Sequence, residues 1–232
     1  MTGRDGDHQP GPAADLTDEQ AAGQTSELLP ELAPEVRPEA ARRLMAAAVD
    51  AFAERGFHAT TTRDIATAAG MSPAALYVHF PSKAAVLAAI SRSGHEHALD
   101  LVATAAAGHG DPAARMSALV AEFVAWHATR HRVARVVQYE LTALPEADHT
   151  AVASLRRRTE AVVRELIEEG VRAGVFRVPD VRTAARAVMS LSVDVVRWYR
   201  SGGKPEPAEL GARYAQLVIA MLGVPIENDL ET

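Results

Sequence analysis

Thr61-Thr62-Arg63-Asp64-Ile65-Ala66-Thr67-Ala68-Ala69-Gly70-Met71-Ser72-Pro73-Ala74-Ala75-Leu76-Tyr77-Val78-His79-Phe80-Pro81-Ser82-Lys83 is the stretch that decides the fold. Thr61 stands three residues before Asp64, the spacing of a capping box, where a hydroxyl and a carboxylate satisfy the free N–H groups of a helix start. Ile65 and Ala69, four apart, form the buried face of that helix. Gly70 breaks it. Ser72-Pro73 opens the next, with serine as N-cap and proline at the first helical position. Leu76 and Phe80 turn back to a core. Pro81 ends this helix, and Ser82 caps another that runs from Lys83 towards Ala107. A short glycine-containing turn between two short helices is the helix-turn-helix pattern, whose second helix enters the DNA major groove.

Working outward, Leu44, Ala48 and Phe52 repeat at helical spacing from Glu39, and Gly56 ends that helix as a C′ glycine. Beyond Gly110 the pattern predicts five longer helices, at about Pro112–Thr129, Arg132–Leu144, Glu146–Ala173, Val181–Ser201 and Pro207–Leu222. Clusters of Pro, Gly or Asp separate them. Val175-Phe176-Arg177-Val178 is too short for more than a linker, so the expected fold class is all-α, without strands.

The net charge of −6 looks wrong for a DNA binder until it is located. Residues 1–37 hold eight acids against two arginines, and the rest carries 22 residues of each sign and is neutral. The acidic excess therefore belongs to a Pro- and Gly-bearing tail expected to be disordered, with a short helix around Glu27–Leu32. Overall charge neither excludes nor supports nucleic-acid binding, for which a basic stripe is the usual footprint. With no Cys, disulfides and thiolate chemistry are excluded. The first residues carry no apolar signal segment and no run of eighteen apolar residues occurs, which predicts a cytoplasmic protein with no membrane partner.

The quoted stretch, from Thr61-Thr62-Arg63-Asp64-Ile65-Ala66 through Leu76-Tyr77-Val78-His79-Phe80-Pro81-Ser82-Lys83, resembles the DNA-binding domain of the TetR family of regulators. The match runs over about residues 39–85 without a gap, roughly a fifth of the chain. The expected division is a tail at 1–37, a helix-turn-helix domain at 38–85, a helical ligand-binding and dimerisation domain at 86–224, and a tail at 225–232.

Within the helix-turn-helix, Thr61, Thr62 and Arg63 open the first helix of the motif. Arg63 is expected to pair with a phosphate, against the plainer reading of a surface arginine. Pro73, Ala74 and Ala75 occupy the first turn of the recognition helix, where they offer apolar contact to thymine methyls but no bidentate hydrogen bonds. Ser72 caps that helix and adds a hydroxyl for phosphate. Tyr77 and His79 lie off the Leu76/Phe80 line and are expected to reach phosphates, a core role for Tyr77 being the alternative. Lys83 would set its charge where a phosphate lies. The resemblance implies a homodimer on a palindromic double-stranded DNA operator, with half-sites about one helical turn apart.

It also implies that the last two helices, Val181–Ser201 and Pro207–Leu222, build the dimer. Their stripes, Ala184, Val188, Leu191, Val195 and Trp198, then Leu210, Tyr214, Leu217, Val218, Met221 and Leu222, fit that role or a monomer core. Val196-Arg197-Trp198-Tyr199-Arg200-Ser201-Gly202-Gly203 is similar to TetR regulators of fatty-acid and steroid catabolism, several of which respond to acyl-CoA thioesters. Arginines suit phosphates and an apolar helical cavity suits an acyl group. Trp126, Tyr139, Arg157, Arg158, Arg164 and Trp198 are the expected effector contacts, with Arg156 in the same run. The alternative is a solvated arginine face and a buried Trp.

His127 and His131 lie four apart and His95 and His97 two apart, but no carboxylate completes a ligand set, so no metal or cofactor is expected. A helical-bundle enzyme is disfavoured by the single Glu-x-x-His match, Glu146 to His149. A small-molecule carrier without DNA would not need the helix-turn-helix.

Overall fold

The computed structural model describes residues 38–200 and 202–223. The expected tails at 1–37 and 225–232, the helix around Glu27–Leu32, and Ser201 lie outside the described residues. Within them the elements are α1 (Glu39–Ala59), α2 (Thr62–Ala68), α3 (Pro73–His79), α4 (Lys83–Ala106) and α5 (Pro112–Thr129). They continue with α6 (His131–Tyr139), a 3-10 turn (Leu141–Ala143), α7 (Glu146–Arg172), α8 (Val181–Trp198) and α9 (Pro207–Met221). No strand occurs among the described residues.

Helix starts follow the capping chemistry. The Thr61 hydroxyl accepts from the Asp64 N–H at 3.1 Å, and the Asp64 carboxylate accepts from the Thr61 N–H at 2.8 Å. Those bonds, the backbone one foremost, hold the Asp64 carboxyl below its usual range. Ser72 and Ser82 accept from the Ala75 and Ala85 N–H groups at 3.2 and 3.1 Å. Asp111 and Asp180 do the same for α5 and α8.

Three helix ends differ from expectation. The first helix kinks at Gly56 (φ 78°) and resumes to Ala59. The buried Thr60 hydroxyl lies 2.9 Å from the Gly56 carbonyl and 3.1 Å from that of Ala51, covering oxygens the kink would leave open. The helix expected over Arg132–Leu144 stops at Tyr139 and gives way to the 3-10 turn, after which Leu144, the residue before Pro145, is extended (ψ 143°). The helix expected to reach Ser201 ends at Trp198, where Tyr199 turns extended and buries its ring.

The helices enclose two cores. Leu44, Phe52, Ile65, Leu76 and Phe80 form the first, joined by Val133, Val136 and Val137 of α6. Met116, Phe123, Val163, Phe176, Val188 and Val218 belong to the second. Helix α4 runs unbroken past the expected boundary at 85/86. Its Val86–Ile90 turns lie in the first core, and Ala98, Val102 and Ala105 in the second. Helix α9 lies against α5 at Gly211, where a Cβ would sit 2.2 Å from the Ala121 carbonyl oxygen.

Candidate functional site

Two features stand at opposite ends of α4: the exposed helix-turn-helix and a cavity among α4–α8. At the first, α3 is anchored by buried Leu76 and Phe80, so its other face is outward. Ser72, Pro73, Ala74 and Tyr77 are exposed, and Ala75 and His79 half-buried. Tyr77 is 54% exposed, against a core role, and its hydroxyl meets that of Thr62 at 3.3 Å. That bond ties the start of α2 to the recognition helix and puts two hydroxyls at one spot. Arg63 is exposed and makes no ion pair among the described residues. Val78, 79% exposed, is a surface residue of the recognition helix that sequence reasoning did not single out. It stands four residues after Ala74 on the same face, and the spacing alone contained that signal. Arg43 of α1 donates to the Ala69 carbonyl at 2.5 Å and so closes the end of α2.

Lys83 sits against the end of α1. Its ammonium, expected to meet a phosphate, donates to the carbonyls of Phe57 and Thr60, each at 2.5 Å, with His58 at 3.5 Å. It also lies 4.2 Å from the Phe57 ring centroid. Three N–H groups are thereby directed at the open carbonyl end of α1, the favoured place for a cation. Lys83 is a strut between α1 and α4.

The two ends are mechanically joined at α6 as well as through α4. Arg132 pairs with Glu54 at 2.9 Å and Asp50 at 3.4 Å, both on α1. The Glu140 carboxylate accepts from the Phe57 N–H at 3.2 Å. On its other side α6 gives Val133, Ala134, Val137 and Tyr139 to the cavity wall. Helix α6 thus touches both the cavity and α1.

The cavity has a volume of about 740 Å³. Phe123, Val152, Met189, Val193 and Val196 make apolar walls, Arg156, Arg157 and Arg186 add positive charge, and Glu160 and Asp194 add negative charge. Of the residues expected there, Trp126, Tyr139 and Arg157 line it; Arg158, Arg164 and Trp198 do not. Helical geometry separates the arginines: Arg156 and Arg157 turn to the cavity, while Arg158 is solvated. Arg164, two turns on, pairs with Glu168 at 3.5 Å on the surface. Trp198 is neither buried nor in the cavity, but 45% exposed on α8. Arg186, missed from sequence because it lies one helix away, pairs with Glu160 at 3.5 Å.

The cavity also holds His95 and His127, which sequence reasoning weighed only as metal ligands. Burial pushes both imidazoles down to about 4, so they are neutral at neutral pH. The His127 Nδ1 bonds the Phe123 carbonyl at 2.8 Å, whereas His131 Nδ1 bonds that of Ala128 at 3.2 Å. The two histidines of the i, i+4 pair therefore serve separate carbonyls. No cluster of three His, Cys, Asp or Glu suited to a metal occurs among the described residues. No single helix among them is long and apolar enough to cross a membrane.

Residues 44–90 match the family described as bacterial regulatory proteins, tetR family, and residues 109–222 match the tetracyclin repressor-like C-terminal domain. The chain belongs to the TetR family. This TetR-family member is 32% identical over 184 residues to the HTH-type transcriptional repressor KstR2 of Rhodococcus jostii (strain RHA1), covering 78% of this chain and 90% of that protein. A bacterial regulatory protein in the tetR family from Rhodococcus RHA1 superposes with a TM-score of 0.78 at 39% identity, over 82% of this chain and 100% of that one. AibR, solved with isovaleryl coenzyme A and operator DNA, shares the fold at a TM-score of 0.71 and 19% identity, over 81% of this chain and 100% of its own. The TetR-family chain is a ligand-responsive, DNA-binding transcriptional repressor, and TetR regulators dimerise.

Proposed function

We propose that this TetR regulator binds a palindromic operator as a homodimer and leaves it when an acyl-CoA thioester fills the cavity. The observation that carries the effector class is the cavity itself: about 740 Å³, with apolar walls and Arg156, Arg157 and Arg186 on its lining. An acyl group would occupy the apolar part, and the phosphates would meet the guanidiniums. The resemblance to KstR2 and the fold shared with AibR, which binds isovaleryl coenzyme A, support this reading.

Dimerisation runs through α8 and α9. Leu191 and Trp198 on α8 and Leu217 and Met221 on α9 are exposed large apolar residues, Leu217 at 61%. A soluble chain does not leave such a face open without a partner. On DNA, Arg63 and the hydroxyls of Thr61, Thr62, Ser72 and Tyr77 take phosphates, with His79 at the edge. Pro73, Ala74, Ala75 and Val78 meet thymine methyls. An effector that prefers the DNA-incompetent spacing of the two heads lowers operator affinity by the factor by which DNA lowers effector affinity.

A gel-shift on the intergenic DNA upstream of its own gene, with and without a panel of acyl-CoA esters, tests both parts. A shift released by one ester supports the reading; a shift that no ester releases refutes the effector class. In solution, Leu217→Glu should convert dimer to monomer by sedimentation and abolish the shift. A dimer that survives it would exclude the α8–α9 interface.

A further inference from the structure

The cavity lining carries hydrogen-bonding groups, two of which, Trp126 Nε1 and His95 Nε2, are buried with no hydrogen-bond partner among the described residues. His127 donates from Nδ1 to the Phe123 carbonyl at 2.8 Å, and burial keeps the ring neutral. Its Nε2 is therefore the unprotonated nitrogen, a lone-pair acceptor. Trp126, the preceding residue, meets it edge to face with centroids 4.7 Å apart. The Trp126 indole Nε1, a donor only, is buried without a hydrogen-bond partner. Across on α4, His95 Nε2 is buried and unpartnered too. The cluster is rigid: His97 stacks on Trp126 at 5.2 Å, and Phe123 meets His127 at 4.3 Å.

We propose that the effector carries a hydroxyl on the part that enters this cavity, received by Trp126 and His127. A hydroxyl accepts from an indole N–H and donates to an imidazole lone pair at the same oxygen. A bare hydrocarbon leaves the Trp126 Nε1 unpaired and makes no use of the His127 lone pair. A keto oxygen satisfies the indole and leaves the imidazole lone pair open. A carboxylate would face two imidazoles held neutral by burial. His95 Nε2 adds a further polar site beside it. The inference rests on the reading of this cavity as the effector site.

Isothermal titration with two matched pairs tests it. One pair is 8-hydroxyoctanoyl-CoA and octanoyl-CoA; the other, without coenzyme A, is 2-naphthol and 2-methylnaphthalene. The protein should bind the hydroxyl member of each pair roughly ten- to a hundredfold more tightly. Trp126→Phe and His127→Phe should each erase that preference, bringing the two members of each pair to equal affinity whatever the absolute value. On 2-naphthol binding, the ¹⁵N resonance of His127 Nε2 should shift towards that of a hydrogen-bonded acceptor, a readout that needs no variant to fold. Discrimination in the naphthyl pair with neither CoA ester bound would uphold the hydroxyl and refute the acyl-CoA class. Both CoA esters bound equally, with no naphthyl discrimination, would overturn the hydroxyl and leave the acyl-CoA class standing. Failure of both pairs to bind would overturn both, and a preference that survives both substitutions would overturn the assignment to Trp126 and His127.

Discussion

Replacing Lys83 by methionine separates two roles for one cation. Methionine keeps most of the aliphatic stem and removes the ammonium, so the packing between α1 and α4 is retained. What is lost is the pair of 2.5 Å bonds to the Phe57 and Thr60 carbonyls and the charge 4.2 Å from the Phe57 ring. A hydrogen bond to a charged group contributes about 1.5–3 kcal/mol, and a cation–π contact at an exposed site about 0.5–1. Lys83 is half-buried, water rehydrates part of the exposed carbonyls, and the net loss is about 2 kcal/mol. In a chain of this size that lowers Tm by about 4–8 °C. Fluorescence anisotropy on operator DNA across a salt series supplies the second readout. Losing one phosphate contact would flatten the slope of log K against log salt by about 0.9. With Lys83 directed at α1 carbonyls, the slope should stay unchanged while Tm falls. An unaltered Tm with a slope flatter by about 0.9 would refute the strut and restore the phosphate contact.

Arg63→Ala should do the reverse: affinity falls roughly ten- to a hundredfold at low salt and the slope flattens by about 0.9, while melting barely moves because Arg63 is exposed and has no ion pair among the described residues. Gly211→Ala should destabilise the protein by roughly 3 kcal/mol in urea unfolding, since its Cβ would lie 2.2 Å from a backbone oxygen of α5. A change below about 0.5 kcal/mol would show that α9 is free to shift. Because burial lowers His95 and His127 from 6.5 to about 4, the unfolded chain takes up protons there that the native state refuses. Stability should therefore hold above pH 6.5 and fall as pH drops towards 4, by at most about 1.4 kcal/mol per pH unit for each histidine. Urea midpoints measured at pH 7 and pH 5 check it, and equal values would mean that the imidazoles are not held neutral.

How far the residues spoke for themselves varies along the chain. The helix-turn-helix was legible because its determinants are local. Thr61 with Asp64, Ser72 with Pro73, and Ser82 are caps acting over three residues, and each operates as its spacing implies. Helix ends were less legible where a longer-range partner decides them, as with Thr60 covering the Gly56 kink. The cavity was the hardest to read. Arg156 and Arg157 differ from Arg158 only by one step of rotation, and the direction that faces inward is set by what α4 and α8 present.

The sequence by itself determined that the chain is all-helical and where the helices of the helix-turn-helix begin, because capping, turn chemistry and helical periodicity are written within a few residues of where they act, and the same stretch carried the resemblance to the TetR family. The tertiary structure alone decided that Lys83 bonds the end of α1 and that Trp198 lies on the surface. It alone brought His95, Trp126 and His127 to one cavity. Those outcomes depend on helices that meet across the fold, 26 residues apart for Lys83 and Phe57. A side chain's role is set by the partner that desolvates it or satisfies its hydrogen bonds, and distance along the chain says nothing of that partner.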